Sequence, residues 1–165
     1  MHRDLKKESR ITIILLVCIA LLLSISALFS VTYFKATQPM KQAKKEATAL
    51  AEKYGDVTQV DAFYRYTRNG TYYAIFGENK NDQSVIVLIP SSGKNVQVLN
   101  QSDGLSMQQA KAVVAKTAPK DTFERASLGM NEKQIVWEIV TKDESNQYHY
   151  YLVQFSDGKL VSEIS

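Results

Sequence analysis

A run of 24 consecutive residues without a charged side chain, Ile11–Phe34, constrains the fold of this 165-residue chain more than any other feature. As an α-helix with a rise of about 1.5 Å per residue, the run would be about 36 Å long. The hydrocarbon core of a bilayer is about 30 Å thick. Arg10 and Lys35 bracket the run, and Tyr33 and Phe34 are the aromatic residues expected at a membrane interface. The run therefore predicts a single transmembrane helix over residues 11–34.

The alternatives to an anchor are a cleaved signal peptide and a lipoprotein acylation site at Cys18. The apolar region of a signal peptide has about 7–15 residues and precedes a small-x-small cleavage site. Here the run is longer, and its only such match, Ser24-x-Ser26, lies inside it. A lipoprotein cysteine follows a small residue, whereas Val17 precedes Cys18. The residues favour an uncleaved anchor.

The orientation of the anchor does not follow from charge. Four basic residues lie in residues 1–10, and four more lie between Lys35 and Lys45, so the positive-inside rule gives a tie. Long domains are translocated largely regardless of charge, and a short tail before an early apolar run is typical of a signal anchor. We expect a single-pass protein of the cell membrane, with residues 1–10 in the cytoplasm and the C-terminal part outside the cell.

The net charge of +3 and the pI near 8.9 are compatible with nucleic-acid binding, but the distribution of charge argues against it. The excess of Lys and Arg lies at the two borders of the apolar run, where it favours an anionic membrane surface. No basic patch is left for nucleic acid. One cysteine and two histidines, His2 and His149, argue against a disulfide framework and a metal site. We expect no nucleic-acid partner, no metal and no cofactor.

The part of the chain after the anchor repeats itself with a shift of 65 positions. The shift places Ser91–Lys94 on Ser156–Lys159, and Tyr72–Ile75 on Trp137–Val140, without a gap. Two copies at this period indicate a duplicated domain, because the repeats of a solenoid are about 20–50 residues long. The predicted units are residues 35–100 and residues 101–165.

Each copy is predicted to fold as one helix packed on an antiparallel sheet, an α+β arrangement. Apolar residues at helical spacing predict a helix over Met40–Tyr54, which begins after Pro39 and ends at Gly55. A second helix is predicted over Leu105–Ala118, with Ser106 as its N-cap. A unit of about 60 residues is marginal alone, so the two units should share an interface. The predicted strands are Val57–Thr67, Thr71–Gly77, Ser84–Ile89, Asn95–Leu99, Phe123–Met130, Gln134–Thr141, Tyr148–Phe155 and Leu160–Ile164.

Strand alternation predicts that both faces of each sheet are apolar. Trp137 and Ile139 share one face, which the repeat matches to Tyr72 and Ala74, and we expect this face to meet the helix. If the opposite face were exposed to solvent, its residues should be polar, but they are apolar. It is either buried between the two units or exposed as a platform for a partner protein. The candidate partner-binding residues on this opposite face are Tyr73, Ile75, Val136, Val140 and Tyr151, with Ile86, Leu88 and Val153 as further members.

Signatures of catalysis are absent from the sequence, which contains no GxSxG, HExxH, phosphate-binding loop or GxGxxG motif. His149 is the one histidine after the apolar run, and the sequence suggests no partner for it. Asp143 and Glu144 are adjacent carboxylates in a predicted turn, where such residues are usually solvated. We therefore predict no catalytic residue and no enzyme activity.

The residues Val136–Ile164, VWEIVTKDESNQYHYYLVQFSDGKLVSEI, follow the order of a PepSY unit: an apolar strand, a turn, a tyrosine-rich strand, a Gly-Lys turn and a last strand. The helix SMQQAKAVVAKT, Ser106–Thr117, matches the helix that opens such units. Together with the anchor and the duplication, these features resemble the YpmB/TseB family of Gram-positive bacteria.

The resemblance implies a bitopic protein with tandem cystatin-like, PepSY-like domains outside the cell. It implies a regulator of cell-wall elongation, which acts by contact with a class B penicillin-binding protein, a transpeptidase. PepSY units also occur in propeptides that inhibit metallopeptidases. The alternative is therefore an inhibitor or sensor of an extracellular protease.

Overall fold

The computed structural model describes the backbone of residues 2–164 and the side chains of residues 15–30 and 38–164. It contains a long helix, two four-stranded antiparallel sheets and a second helix between them, which confirms the predicted α+β class. In chain order the elements are α1 (His2–Gly55), β1 (Val57–Tyr66), β2 (Tyr72–Asn79), β3 (Ser84–Pro90), β4 (Gln97–Asn100), a 3-10 turn (Gln101–Asp103), α2 (Met107–Thr117), β5 (Thr122–Asn131), β6 (Gln134–Lys142), β7 (Tyr148–Gln154) and β8 (Leu160–Ile164).

The strand order is β1-β2-β3-β4 in the first sheet and β5-β6-β7-β8 in the second sheet. All eight predicted strands are present, and no strand end differs from its prediction by more than two residues. The second helix begins as predicted, because Ser106 accepts a hydrogen bond from the Gln109 backbone N–H at 3.3 Å. The Gln109 side chain in turn accepts one from the Ser106 N–H at 2.8 Å, which completes a capping box.

The first helix begins earlier than predicted. Pro39 was expected to precede it, but α1 runs from His2 to Gly55 with Pro39 inside. Proline removes one backbone hydrogen bond, and the next residues, Met40–Ala43, have high helix propensity that favours continuation. The helix ends at Gly55 as predicted. A Cβ at Gly55 would lie 2.6 Å from the Val87 Cγ2 atom, so the glycine allows the close approach of β3.

Within the described residues, no helix is long and apolar enough to cross a membrane. The predicted span, Ile11–Phe34, extends beyond the side chains that the structure describes, which cover only residues 15–30 of it. The flanking residues Arg10, Tyr33 and Lys35 also lie outside the described side chains. The span therefore stays a prediction.

The chain divides into two compact units, residues 1–43 and residues 44–165, and the second unit contains both sheets. The main core of this second unit is shared by the two copies. It unites Ala74 and Leu88 of the first sheet with Val114 of α2 and Trp137 and Ile139 of the second sheet, all fully buried. The predicted contact between α2 and the Trp137 face is confirmed, and the two copies share an interface as expected.

In the first copy the helix covers the opposite face from the one predicted. Ala47 and Ala51 of α1 pack on Ile75 and Val87 in a second core. The face of Ala74, which the repeat matches to Trp137 and Ile139, packs in the shared core instead. The 65-residue shift therefore relates the strands of the two copies, but not the position of the helix on the sheet.

The strand pairing also corrects the membership of the predicted faces. Residues that stand directly opposite each other in an antiparallel pair share a face. Leu88 pairs with Ala74 and Ile86 pairs with Phe76, so both lie on the Ala74 face. In the second sheet, Tyr151 pairs with Ile139 and Val153 with Trp137, so both lie on the face that meets α2. Alternation within one strand does not fix the face of the next, because the intervening turn sets the register.

Candidate interaction surface

The five residues predicted to form a partner-binding face do not form one surface. Ile75 and Val136 are 0% exposed, and Val140 and Tyr151 are 2% exposed, so none of the four can contact a partner in the folded protein. Tyr73 is half-buried at the core beneath α1. The prediction of an exposed platform at these residues is therefore wrong. For Val136 the structure shows the alternative, burial against the first copy through Tyr66.

A buried carboxylate on the same face, Glu138, was missed by the sequence reasoning. Arg68 Nε donates a hydrogen bond to Glu138 Oε2 at 2.9 Å, and Arg125 Nη2 lies 3.7 Å from Oε1. Ser127 Oγ donates to Oε1 at 3.5 Å. The Arg68 guanidinium also lies 5.2 Å above the centre of the Tyr150 ring. These groups compensate the buried charge. The signal in the sequence was a lone Glu inside an apolar strand, which requires a cation nearby.

The hairpin between β1 and β2 positions Arg68 beside the Glu138 carboxylate and contacts the second copy. At the hairpin, Asn69 donates a side-chain hydrogen bond to Asn131 of the second sheet. The Tyr66 ring occupies the space over Gly129, where a Cβ would lie 2.1 Å from the ring. The Tyr66 hydroxyl is buried and has no hydrogen-bond partner among the described residues. Burial, followed by the negative charge of Glu138, raises the pKa of Tyr66 to about 12.

His149 has a partner that the sequence did not suggest. Its Nε2 atom lies 3.3 Å from Asp143 Oδ2. Asp143 Oδ1 accepts backbone N–H bonds from Ser145 at 2.8 Å and Gln147 at 2.9 Å, so the carboxylate stabilises the turn between β6 and β7. The Gln147 N–H is the main cause that lowers the pKa of Asp143, and the His149 bond adds to it. The arrangement is that of a turn with an ordered histidine beside it.

Titratable groups do not gather into a metal site within the described residues, where no three His, Cys, Asp or Glu side chains lie close enough to hold an ion. Pockets are present in residues 44–165. One of about 140 Å³ is lined by Tyr64, Phe76 and Trp137. One of about 210 Å³ lies between α2 and the second sheet. A larger one of about 300 Å³ lies beside the turn between β3 and β4.

Comparison with known proteins finds a matching family model and a relative that covers most of the chain. Residues 46–90, from the end of α1 through β3, match the family described as a cell wall elongation regulator TseB-like domain. A relative from Bacillus subtilis (strain 168), named a probable cell wall elongation regulator TseB, is 24% identical over 141 residues, which cover 84% of this chain and 87% of the relative. The chain is therefore similar to proteins of the YpmB/TseB family.

A solved structure shares the fold of this chain. The YpmB protein from Bacillus subtilis superposes with a TM-score of 0.63 at 22% identity, over 73% of this chain and 95% of that chain. The resemblance inferred from Val136–Ile164 and from the helix at Ser106–Thr117 is thus confirmed. The matching family model is named for regulation of cell-wall elongation.

Proposed function

We propose that this protein regulates cell-wall synthesis during cell elongation by direct contact with a class B penicillin-binding transpeptidase. The observation that carries the proposal is the TseB-like domain over residues 46–90, together with the name of the relative from Bacillus subtilis. The described polar clusters support binding rather than catalysis. Glu138 is held by Arg68, and Asp143 is engaged in a turn, so both carboxylates have structural tasks.

The same proposal includes a membrane anchor over Ile11–Phe34, with residues 1–10 in the cytoplasm and the residues after the anchor outside it. Apolar side chains from position 15 to 30 are largely exposed, among them Leu22, Leu23 and Phe29. Ser24 Oγ donates a hydrogen bond to the Ala20 carbonyl at 2.8 Å. That bond satisfies the hydroxyl within its own helix, as a lipid environment requires.

The outer edges of the two sheets are where we propose that the partner binds. β4 and β8 each end a sheet, and Val98 of β4 and Val161 and Ile164 of β8 are exposed. An edge strand offers unpaired backbone groups to a strand of another protein, and exposed apolar side chains add contact area. The buried residues first predicted for this role can supply neither unpaired backbone groups nor exposed apolar side chains.

Photo-crosslinking in cells tests the contact with the full chain. A crosslinking amino acid would replace Val98 or Val161, and an equivalent substitution at Lys133, in the turn between β5 and β6, serves as the control. We expect covalent adducts with a penicillin-binding protein from the two edge positions and not from Lys133. If no penicillin-binding protein is crosslinked or co-purified with the full chain, the proposed partner is wrong.

A further inference from the structure

The pocket of about 300 Å³ is formed by both copies. Leu88 of β3 is buried at its base, and Tyr72 and Pro90 are half-buried walls from the first sheet. Met130 of β5 supplies the wall from the second sheet. An apolar base with several convergent polar groups at the mouth is the usual construction of a small-ligand site.

The mouth of this pocket carries four polar side chains, of which Ser92 accepts a hydrogen bond from the Lys94 backbone N–H at 3.4 Å. Ser92, Lys94, Asn95 and Gln97 line it, and all four are exposed. Among the described residues, Lys94 forms no ion pair, and the amide groups of Asn95 and Gln97 form no hydrogen bond. Lys94 is the one charged residue of the lining. The pocket therefore offers one positive charge and two amides to a ligand.

The other two pockets lack this combination. In the pocket of about 210 Å³, Lys111 lies 4.3 Å above the Phe123 ring, and Asp121 accepts a hydrogen bond from Thr141 at 2.6 Å. Both charged side chains of this pocket, Lys111 and Asp121, thus already have partners inside the protein. The pocket of about 140 Å³ has no charged side chain in its lining.

The first copy differs from the second at this turn. Seven residues from β3 to the start of β4, Pro90–Val96, include Gly93 and Asn95 in the left-handed region, with φ of 68° and 56°. In the second copy β8 begins at Leu160, directly after Lys159, which corresponds to Lys94 in the repeat. Lys159 is absent from the linings of the three pockets. The lysine of the lining thus comes from the first copy, and the repeat supplies Lys159 as a matched control.

We propose that this pocket binds a carboxylate-bearing N-acetylated amino sugar of the cell wall, as present in peptidoglycan fragments from which the peptide stem has been removed. The inference rests on the proposed function in cell-wall synthesis. The apolar face of the sugar ring lies against Tyr72 and Met130, its hydroxyl and acetamido groups pair with Asn95 and Gln97, and its carboxylate pairs with Lys94. A single ammonium suits one carboxylate, whereas a polyphosphate would require several cations or an arginine fork.

Calorimetric titration of the full-length protein in detergent micelles tests the site. The probe is the disaccharide of peptidoglycan without its peptide stem, in which an amidase has freed the carboxylate of the sugar. We expect saturable binding, and a loss of affinity of about tenfold in Lys94→Gln, because a hydrogen bond to a charged group is removed. Lys159→Gln, the matched control, should bind as the unmodified protein does. A neutral N-acetylglucosamine dimer should bind more weakly and should be insensitive to Lys94→Gln.

Three results would overturn the inference: no saturable binding, equal affinities for the two lysine variants, or equal affinity for the peptide stem without its sugars. The crosslinking from Val98 and Val161 is repeated with Lys94→Gln to separate this inference from the proposed function. If the titration shows no saturable binding while the crosslinked adducts persist, only the proposed sugar site is refuted. Saturable, Lys94-dependent binding without adducts refutes the transpeptidase contact.

Discussion

The Tyr66 side chain has a closely packed ring and a hydroxyl that forms no hydrogen bond among the described residues. The ring is packed on Val136 and Leu152 and fills the space over Gly129. We expect Tyr66→Phe to leave the free energy of unfolding unchanged or raise it by up to about 1 kcal/mol, because an unpaired buried hydroxyl is removed. Tyr66→Ala should lower it by about 3–5 kcal/mol, because it leaves a cavity. Urea unfolding followed by Trp137 fluorescence measures both, and a loss above about 1 kcal/mol in Tyr66→Phe would contradict an unpaired hydroxyl.

Two buried phenols predict the behaviour of the protein at high pH. Burial is the main cause that raises the pKa of Tyr66 and of Tyr151 to about 12, and the Glu163 carboxylate adds to it for Tyr151. An unfolded tyrosine ionises near pH 10. The stability that these groups contribute is therefore complete below about pH 10 and is lost as the pH rises towards 12. Absorbance at about 295 nm should show Tyr66 and Tyr151 among the last phenols to ionise, and Tyr66→Phe should remove one of these late steps.

At the scale of single residues, the sequence predicts what depends on near neighbours. The Ser106 cap was predictable because its partner, Gln109, lies three residues away. The burial of Glu138 was not, because Arg68 is 70 residues distant along the chain. The His149 contact lies between these cases, since Asp143 is six residues away on the other side of a turn.

At the scale of elements, the hairpin between β1 and β2 depends on a buried ion pair. Arg68→Met leaves Glu138 buried with only Arg125 and Ser127 near its carboxylate. We expect a loss of about 3 kcal/mol, because an uncompensated buried charge is costly. The exposed pair of Lys80 and Asp56, at 3.0 Å, is the control.

Lys80→Ala should change the free energy of unfolding by less than about 0.5 kcal/mol. Both variants are compared by urea unfolding at one salt concentration. Equal small effects in the two variants would show that the hairpin contact does not depend on the Arg68–Glu138 pair. Hydrogen exchange at the hairpin should rise in Arg68→Met alone.

The turn between β6 and β7 should weaken in acid. The Gln147 and Ser145 N–H bonds and the His149 contact lower the pKa of Asp143 below its ordinary value near 3.8. The contribution of the carboxylate to stability is therefore present above that value and is lost as the pH falls through the lowered pKa. Protection of the Ser145 and Gln147 amides, measured as their exchange rate relative to an unstructured peptide at the same pH, should fall in that range. In Asp143→Ala this protection should be low at every pH, and unchanged protection in this variant would contradict the role of the carboxylate.

The positions of the strands followed from β-branched runs and turn residues, which are local signals. The faces did not follow, because the turns at Lys80–Gln83 and Asp143–Gln147 set which residues of neighbouring strands stand opposite each other. Alternation therefore placed Leu88 and Tyr151 on the wrong faces. The candidate binding residues failed for the same reason, and because burial depends on how the two copies pack.

At the scale of the whole molecule, the shared core predicts one cooperative unfolding transition for residues 44–165. Ala74 and Leu88 of the first copy lie in the same buried cluster as Trp137 of the second. Leu88→Ala should therefore lower the midpoint seen by Trp137 fluorescence and the midpoint seen by far-ultraviolet circular dichroism equally. Two separated midpoints, with only one moved by Leu88→Ala, would show that the copies unfold independently.

The contact of Tyr66 with Gly129 makes the two halves of the duplication unequal. The 65-residue shift places Asn131 where the first copy has Tyr66, and Tyr64 where the second copy has Gly129. A first copy facing another first copy would present a tyrosine ring where the space of a glycine is required. Two second copies would have the space and no ring to fill it. Each half therefore selects the other, because a symmetric pair of identical halves would lack this contact between a ring and a glycine.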